Sequence, residues 1–235
     1  MKWQRRFASP DSKRQYVRTL FATIADRYDL ITVLLSGGLD RRWKSRLVAR
    51  IDASGRPRVL DLACGTGDLA LGADARGCRV VGLDITHRML QLAAAKPELR
   101  RVSFVTGDMM SLPFPDAAFD VITTGYGLRN VPDLGGALAE MHRVLRPGGQ
   151  LLSLDFDRPS NSLVRGVYLT YLTLVGSALG WVLHRDPDTY RYIPESISRY
   201  PGAAGVSALA RAAGFSSCGH VAVLGGLMAM HSATK

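Results

Sequence analysis

The sequence predicts an α/β fold in which a mainly parallel sheet of seven strands is covered by helices on both faces. Apolar runs of strand type alternate with helix-type segments, a glycine-rich turn follows the first run, and 47% of the 235 residues are hydrophobic. Such alternation is typical of parallel strands joined by crossover helices. We expect strands at 58–63, 78–85, 102–108, 119–125, 149–156, 215–223 and 226–233, and helices near 67–75, 86–96, 133–145 and 206–214.

Length and composition fit one domain with a sizeable core. We expect a basic helical cover over 1–57, a Rossmann-like core over 58–157, an insertion over 158–206, and the last helix and strands of the core over 207–235. The three cysteines lack the spacing of a metal site or a disulfide framework, so we expect no metal and a cytoplasmic setting. The first eleven residues are basic and lack the apolar stretch of a signal peptide.

Positive charge is concentrated at the N-terminal end. Residues 1–58 hold 14 Lys and Arg against 5 Asp and Glu, which leaves little of the net charge of +10 for the rest. Two amphipathic helices are expected there, one behind Ser9-Pro10-Asp11 and one near 39–51. The apolar positions of the first are Tyr16, Val17, Leu20, Phe21, Ile24, Ala25 and Tyr28, and the basic side of the second holds Arg41, Arg42, Lys44, Arg46 and Arg50.

Basic amphipathic helices suit an anionic membrane surface, but a solvated face is the simpler interpretation of a charge run taken alone. No nucleic-acid-binding motif accompanies the charge, so we expect no nucleic-acid partner.

The turn after the first strand, Cys64-Gly65-Thr66-Gly67-Asp68, indicates a nucleotide-type ligand because glycines permit the bend and a close backbone approach. Gly65, Gly67 and Ala70 also satisfy the loose dinucleotide fingerprint. The next two strands end in Asp84 and Asp108. Asp61 and Asp108 could instead merely cap turns and helices. Acids in this order at successive strand ends favour a class I S-adenosyl-L-methionine-dependent methyltransferase over an NAD enzyme.

The insertion contains an uncharged run of eighteen residues, 166–183, which reaches the lower limit for a membrane span. Three glycines and several Thr and Ser residues dilute its hydrophobicity, and it lies between two strands of one sheet. We therefore expect buried core or an apolar substrate wall with membrane-surface contact.

Several further segments carry a family resemblance. They are Ile24 to Asp29 followed by Trp43, Leu112-Pro113-Phe114, Gly127-Leu128-Arg129-Asn130, Tyr190 to Ile197, and Gly225 to His231. Over about residues 15–232 the chain resembles the ubiquinone/menaquinone biosynthesis C-methyltransferases, and demethylmenaquinone methyltransferases in particular. The resemblance implies S-adenosyl-L-methionine-dependent methylation of a ring carbon on a polyprenylated quinol, a demethylmenaquinol or a ubiquinol precursor, with S-adenosyl-L-homocysteine as the second product.

Carried over by position, the resemblance and the turn give nine cofactor-binding candidates, with Asp84 expected on the ribose hydroxyls. They are Asp61, Gly65, Thr66, Gly67, Asp84, Ile85, Asp108, Met109 and Gly125.

For the chemistry we expect Arg129 and Asn130 at the pocket mouth, where the guanidinium stabilises a phenolate and fixes a water that takes the proton. Tyr28 and Asp29 are further catalytic candidates for a proton relay, and Tyr126, Tyr190 and Tyr192 are expected to bind substrate. The simpler alternatives are that Arg129 pairs with Asp133 and that the tyrosines are ordinary core residues.

A prenyl tail does not leave a bilayer readily, since each buried CH₂ contributes about 0.8 kcal/mol. We therefore expect peripheral attachment to an anionic membrane, with 16–51 and 166–183 forming a mobile lipid-facing cover. Two alternatives stay open: methylation of another aromatic or isoprenoid metabolite, and a non-catalytic scaffold in a quinone-biosynthetic complex. A homodimer is one option for the assembly.

Overall fold

The computed structural model describes residues 9–235, which build one seven-stranded sheet in the order β3-β2-β1-β4-β5-β7-β6. The strands begin and end close to the expected positions. They are β1 (Arg58–Leu62), β2 (Arg79–Asp84), β3 (Ser103–Thr106), β4 (Phe119–Gly125), β5 (Leu145–Phe156), β6 (Ser217–Val223) and β7 (Met228–Thr234).

Five neighbouring strands run parallel and only β7 opposes its neighbours, so the predicted fold class is confirmed. The strand order reverses beside β1, which pairs with β2 on one side and with β4 on the other. Ligands of open α/β sheets bind beyond the carboxyl ends of the strands at such a reversal. The topology therefore places the ligand site after β1, β2 and β4.

Nine α-helices of the described region cover the sheet and its carboxyl edge. They are α1 (Pro10–Ile24), α2 (Tyr28–Ser36), α3 (Asp40–Val48), α4 (Asp68–Ala75), α5 (His87–Ala94), α6 (Leu134–Val144), α7 (Ser162–His184), α8 (Tyr192–Arg199) and α9 (Gly202–Ala212).

Two hydrophobic cores lie on the two faces of the sheet, because side chains alternate along each strand. Val59 of β1 faces a core shared with Leu47 of α3 and Ala73 of α4. Leu60 faces the other core, which includes Leu138 of α6. Each fully buried side chain of this size contributes about 1.5–3 kcal/mol. The cores hold the carboxyl edge of the sheet rigidly, and the functional groups lie on that edge.

The N-terminal segment differs from its prediction in two respects. Ser9 caps α1 as expected, but the helix ends at Ile24, and a single 3₁₀ turn separates it from α2. This bend turns the start of α2 toward the sheet, where Tyr28 lines the cleft described below. Lys44, expected on the exposed basic side of α3, is instead buried, because it forms ion pairs with Asp40 and Asp68.

The long insertion helix α7 is mostly exposed, so the expectation of buried core is wrong. Its length and mean hydropathy of 1.5 would suffice to cross a membrane, yet only 22% of the apolar window is buried. One side packs closely on the following chain: a Cβ at Gly176 would lie 3.2 Å from the Cβ of Tyr190, and one at Gly180 would lie 2.5 Å from the Asp186 carbonyl oxygen. The opposite side presents apolar side chains to the surface.

Candidate active site

The glycine turn connects β1 to α4 beyond the carboxyl edge of the sheet. Gly65 and Gly67 both have positive φ, +53° and +91°. A Cβ at Gly67 would lie 2.5 Å from Leu99 Cδ1, so this glycine is required for packing as well as for conformation. A Cβ at Gly65 would meet only Tyr28, at 3.8 Å, and Gly65 lines the cleft directly. The turn thus presents backbone to the cleft.

Asp84 ends β2 and fastens this turn. One carboxylate oxygen accepts a hydrogen bond from the Gly65 amide at 2.9 Å and the other accepts from the Thr86 amide at 2.8 Å. Burial raises the pKa of Asp84, although both backbone hydrogen bonds oppose that shift. The side chain also lines the cleft, where each oxygen retains a lone pair for a ligand.

Asp108 lies on the same cleft after β3, with Ile85 and Met109 as apolar neighbours. Its Oδ1 accepts from the Met110 amide at 2.9 Å, and its Oδ2 pairs with Arg14 Nε at 2.7 Å. Arg14 belongs to α1, so the N-terminal helix covers this end of the cleft.

Asp61 in β1 is fully buried. Its Oδ1 accepts from the Thr123 hydroxyl at 2.8 Å, and its Oδ2 has no hydrogen-bond partner among residues 9–235. Burial raises the pKa of this carboxyl to about 7. Asp61 lines a small pocket together with Thr66 and Gly125, two other expected cofactor residues.

A second, larger and apolar cavity adjoins the cleft, with a volume of about 400 Å³ against about 70 Å³ for the cleft. Phe21, Tyr28 and Tyr126 line both spaces. The apolar cavity is walled by side chains of α1, α2, α7 and the segment that begins α8, and its size is typical of small-molecule sites. Prominent members are Leu20, Ile24, Ile31, Leu35, Tyr168, Leu172, Tyr190, Tyr192 and Ile193.

Arg129 forms part of the wall of the apolar cavity, and its expected place at the mouth is wrong because the side chain is only 6% exposed. Its Nη1 lies 2.8 Å from Asp155 Oδ1 and 2.9 Å from the Tyr126 carbonyl oxygen. The guanidinium also lies over the Phe156 ring at 4.7 Å. The alternative pairing with Asp133 is therefore wrong. The Nε of Arg129 has no hydrogen-bond partner within the described part of the chain.

Asn130 lines the cleft and forms hydrogen bonds with two residues that line the apolar cavity. Its amide donates to the Tyr126 carbonyl at 2.8 Å, and its Oδ1 accepts from the Tyr192 hydroxyl at 2.9 Å. Burial raises the pKa of both Tyr190 and Tyr192. Tyr126, Tyr190 and Tyr192 all line the apolar cavity, and their role in substrate binding stays a prediction.

Tyr28 stands where the two spaces meet. Burial raises the pKa of its hydroxyl, and the charges of Lys44 and Arg129 oppose that shift. Asp29, the next residue, lines neither space. Its carboxylate accepts from the Thr66 hydroxyl and pairs with Lys96 at 3.0 Å. This placement does not support a proton relay through Asp29, which instead holds the glycine turn against α2.

Three residues of the site were not predicted from the sequence. Arg14 and Lys44 were assigned to the general basic charge of the N-terminal segment, and Asp155 gave no signal beyond its position at a strand end. Lys44 directly follows Trp43, which belongs to the segments that resemble the family, and this position was the one signal in the sequence that Lys44 lies near the site.

Solved structures share this fold. An S-adenosylmethionine-dependent methyltransferase from Thermotoga maritima matches with a TM-score of 0.67 and 19% identity, covering 93% of this chain and 99% of that one. One from Mesorhizobium loti matches with a TM-score of 0.59 and 20% identity, covering 84% and 100%. These identities support the fold alone, which is that of the class I S-adenosylmethionine-dependent methyltransferases.

Sequence relatives define the family. The model of the ubiE/COQ5 methyltransferase family matches residues 9–235. A demethylmenaquinone methyltransferase of Thermus thermophilus is 44% identical over 201 residues, covering 84% of this chain and 91% of its own length. A ubiquinone/menaquinone biosynthesis C-methyltransferase of Teredinibacter turnerae is 39% identical over 234 residues, covering 95% and 92%. The chain belongs to the ubiE/COQ5 methyltransferase family, so it is a methyltransferase, and the dinucleotide interpretation of the turn is wrong.

Proposed function

We propose that this enzyme methylates a ring carbon of a polyprenylated quinol, a demethylmenaquinol or a ubiquinol precursor, with S-adenosyl-L-methionine as the methyl donor. The relatives' names supply the substrate class. The observation that carries the proposal is the juxtaposition of Arg129, a buried guanidinium with an unpaired N–H, with an apolar cavity that adjoins the cofactor cleft. A polar ring with an apolar tail fits this arrangement.

The residues of the cleft fit the methyl donor. Gly65 lets the donor approach the backbone at the wall of the cleft, because it has no side chain. The Asp84 carboxylate can accept hydrogen bonds from the ribose hydroxyls, and Ile85 and Met109 present apolar surface to an adenine ring. In the small pocket beside the cleft, Asp61 Oδ2 has no hydrogen-bond partner among the described residues and can accept a hydrogen bond from the donor molecule. When bound, the cofactor supplies an electrophilic methyl group on its sulfonium.

Residues of this chain make the quinol ring reactive toward the methyl group. A quinol carbon becomes nucleophilic as a neighbouring hydroxyl loses its proton, and Arg129 stabilises the resulting phenolate through its free Nε–H. A guanidinium cannot serve as the base, so it fixes a water that accepts the proton. After methyl transfer, the methylated carbon loses its hydrogen as a proton to water and the oxygen regains a proton, which restores the aromatic quinol. Asn130 orients a ring oxygen, and Tyr28 separates the reacting groups from bulk water at the junction of the two spaces.

The prenyl tail occupies the apolar cavity and leaves it at the protein surface. Leu34 and Tyr171 line the cavity and are also 50% and 53% exposed, so the cavity wall continues into an exposed apolar surface. Further exposed side chains extend it on α2 and α7. They are Leu30, Val33, Leu163, Val167, Leu174, Trp181 and Val182.

This surface is where the protein attaches to the membrane. Arg27 and Arg185 lie exposed at the start of α2 and the end of α7, where they face anionic headgroups. Arg27 Nη1 also donates to the Leu183 carbonyl, which joins the two helices beside the surface. The packing of Gly176 and Gly180 on the chain after α7 favours a helix that lies on the bilayer over one that spans it.

The function is tested by incubating the protein with labelled S-adenosylmethionine and a panel of demethylated naphthoquinols, benzoquinols and unrelated phenols. We expect label on a ring carbon of a prenylated quinol. Labelling of another aromatic or isoprenoid compound alone would replace the substrate assignment. Donor binding without transfer to any compound of the panel would favour a scaffold.

Membrane attachment is tested by sedimentation with liposomes that contain anionic lipid. We expect the L174S/W181S variant to bind about tenfold more weakly or worse, because two exposed apolar side chains are lost. Val221→Ser serves as the control, since Val221 is also exposed, at 51%, but lies on the edge strand β6. Binding that is insensitive to salt and equal in all three proteins would refute the attachment model.

A further inference from the structure

Lys13 of α1 contacts the turn that carries Arg129 and Asn130. Its Nζ donates hydrogen bonds to the carbonyl oxygen of Arg129, at 3.2 Å, and to that of Val131. These two carbonyls lie on either side of Asn130 in the chain, and Lys13 is half-buried beside them. One side chain of the N-terminal helix therefore bridges the backbone from which Arg129 and Asn130 project.

The sequence of this turn leaves its carbonyl groups short of donors. Residues 128–130 form a 3₁₀ turn, and Val131 leaves the helical conformation with a ψ of 147°. Pro132 follows and has no N–H, so it cannot donate to the Arg129 carbonyl as the next residue of a 3₁₀ turn would. Val131 is only 7% exposed, and a buried acceptor without a donor is costly. Lys13 supplies a donor to both carbonyls.

The other contacts of the turn hold its side chains. The Arg129 guanidinium pairs with Asp155 at 2.8 Å, and the Asn130 side chain accepts from the Tyr192 hydroxyl at 2.9 Å. Lys13 instead holds the backbone between them, from the side of α1. Without it, the turn would keep its side-chain partners but lose the contact that fixes its distance from the helix.

The ammonium of Lys13 lies among other cations. Burial and the charges of Arg129 and Arg199 lower the pKa of Lys13 to about 8. A cation is therefore electrostatically unfavourable at this position. Its charge does not account for its presence there through stability, which leaves the contact with the turn as its role.

The other titratable groups nearby do not offset these cations. Glu195 of α8 and Asp11 of α1 each pair with an arginine of their own helix, at 2.7 Å and 3.2 Å. Tyr200 lines the same small space as Lys13, but burial raises the pKa of its hydroxyl, so it stays neutral. The charge of Lys13 therefore changes at a pH at which the enzyme can be assayed.

We infer that Lys13 is a positioning residue for the methyl transfer: its ammonium binds the carbonyls on either side of Asn130 and so holds Arg129 and Asn130 against the quinol ring. The inference rests on the proposed function, because it acts on the residues that meet the ring. Lys13 itself touches neither the ring nor the methyl donor.

The first test separates turnover from cofactor binding. Lys13→Met keeps the side-chain length but removes the donor, and should lower kcat for a prenylated quinol about 10- to 100-fold, because a small misplacement of the reacting groups is costly in rate. Its Kd for S-adenosylhomocysteine, measured by calorimetry, should stay within about twofold of the wild type, since Lys13 does not line the cofactor cleft. The matched control is Arg18→Met, which removes an exposed cation from the same helix and should change neither value.

The second test uses the conservative variant Lys13→Arg over a range of pH. It keeps a cation with N–H donors, so at pH 7 its kcat should recover to within about threefold of the wild type. An arginine stays charged as the pH rises, whereas Lys13 loses its charge as the pH passes its pKa of about 8. The ratio of wild-type kcat to that of Lys13→Arg should therefore fall about fivefold between pH 7 and 9.5. Ionisation of the quinol itself cancels in this ratio.

The third test asks whether Lys13 acts through the turn. In the Arg129→Met background, Lys13→Met should lower kcat further by about threefold at most, because the main group that it positions is already missing. Additive losses would place the action of Lys13 elsewhere and overturn the inference.

Full turnover by folded Lys13→Met, an equal loss in Arg18→Met, or a ratio to Lys13→Arg that does not change with pH would also overturn the inference while the proposed function stands. If Lys13→Met loses S-adenosylhomocysteine binding as well, the pH ratio decides, because neither protein in that comparison lacks the donor. A wild-type protein that methylates no prenylated quinol would instead contradict the proposed function.

Discussion

The cofactor cleft and the apolar cavity share a wall but are built by different means. The glycine turn follows the carboxyl end of β1, and Asp84 lies at the carboxyl end of β2. Hydrogen bonds from the backbone amides of Gly65 and Thr86 to the Asp84 carboxylate fix their positions. The apolar cavity is enclosed by helices that lie far apart in the chain, α1 and α2 on one side and α7 and α8 on the other. One space is built mainly around the ends of neighbouring strands, whereas the other is assembled by the packing of distant helices.

Under the proposed function, this difference lets one fold keep its cofactor site and vary its substrate site. A change in α2 or α7 alters the apolar cavity without moving the strand ends that hold the cleft. Phe21, Tyr28 and Tyr126 are the exception, because they line both spaces and couple them.

The largest expected effect comes from Arg129, at the wall of the apolar cavity. Arg129→Met should lower kcat by at least about 100-fold, since the group proposed to stabilise the phenolate is lost. It should also cost about 3–5 kcal/mol in the free energy of unfolding, because the Asp155 carboxylate stays buried without its cation. Steady-state kinetics and denaturant unfolding measure the two effects.

The R129M/D155N variant separates stability from chemistry. Removing both partners should recover part of the lost stability but none of the lost turnover. Binding of S-adenosylhomocysteine, measured alongside, should change little in either variant because Arg129 lies outside the cleft. Normal turnover in either variant would remove Arg129 from the mechanism.

The sequence predicted the positions of residues correctly where those positions follow from the local backbone. The glycine turn, Asp84 and Asp108 could be placed because each is tied to the end of a predicted strand, and the strand ends were found within two residues for β1 and β2. The resemblance supplied Arg129 and the tyrosines, which line the apolar cavity, although Arg129 lies in its buried wall and not at the mouth.

Prediction from the sequence failed where function depends on contacts between distant segments. Nothing in the local pattern shows that Arg129 pairs with Asp155, which lies one crossover helix and one strand further along. Lys44 looked like one more charge on a basic helix, because its two carboxylate partners are recognisable only after α3 packs on α4. Asp29 was misassigned for the same reason, since its contact with Thr66 exists only in the folded chain.

At the cofactor cleft the comparison predicts selective loss of binding. Asp84→Asn should weaken S-adenosylhomocysteine binding about 10- to 100-fold, because a charged acceptor for the ribose is replaced by a neutral one. Asp74→Asn is the matched control: Asp74 is equally buried, but it pairs with Arg101 and does not line the cleft. Calorimetry measures both, and equal losses would mean that Asp84 acts on stability alone.

Asp61, in the small pocket beside the cleft, predicts a pH dependence of stability. Burial raises the pKa of Asp61 to about 7 from an ordinary 3.8, so between these values the folded state holds a proton that the unfolded state has released. Stability therefore falls as the pH rises through that interval. Relative to Asp61→Asn, the cofactor-free wild type should lose about 2 kcal/mol between pH 5 and 6.5. Urea unfolding at several pH values measures this, and parallel curves for the two proteins would contradict it.

The smallest expected effect separates the two spaces by substrate length. Leu35 of α2 lines the apolar cavity and is half-buried, so Leu35→Trp fills part of the tail's path without touching the cleft. We expect the KM for a long-tailed quinol to rise about tenfold, the loss of roughly two buried CH₂ groups, with little change for a quinol that carries no tail. Val221→Trp, on the exposed edge strand β6, should leave both values unchanged. An equal rise in KM for the two substrates would mean that the apolar cavity does not hold the tail. It would then contradict the assignment of the tail to the apolar cavity and of the methyl donor to the cleft.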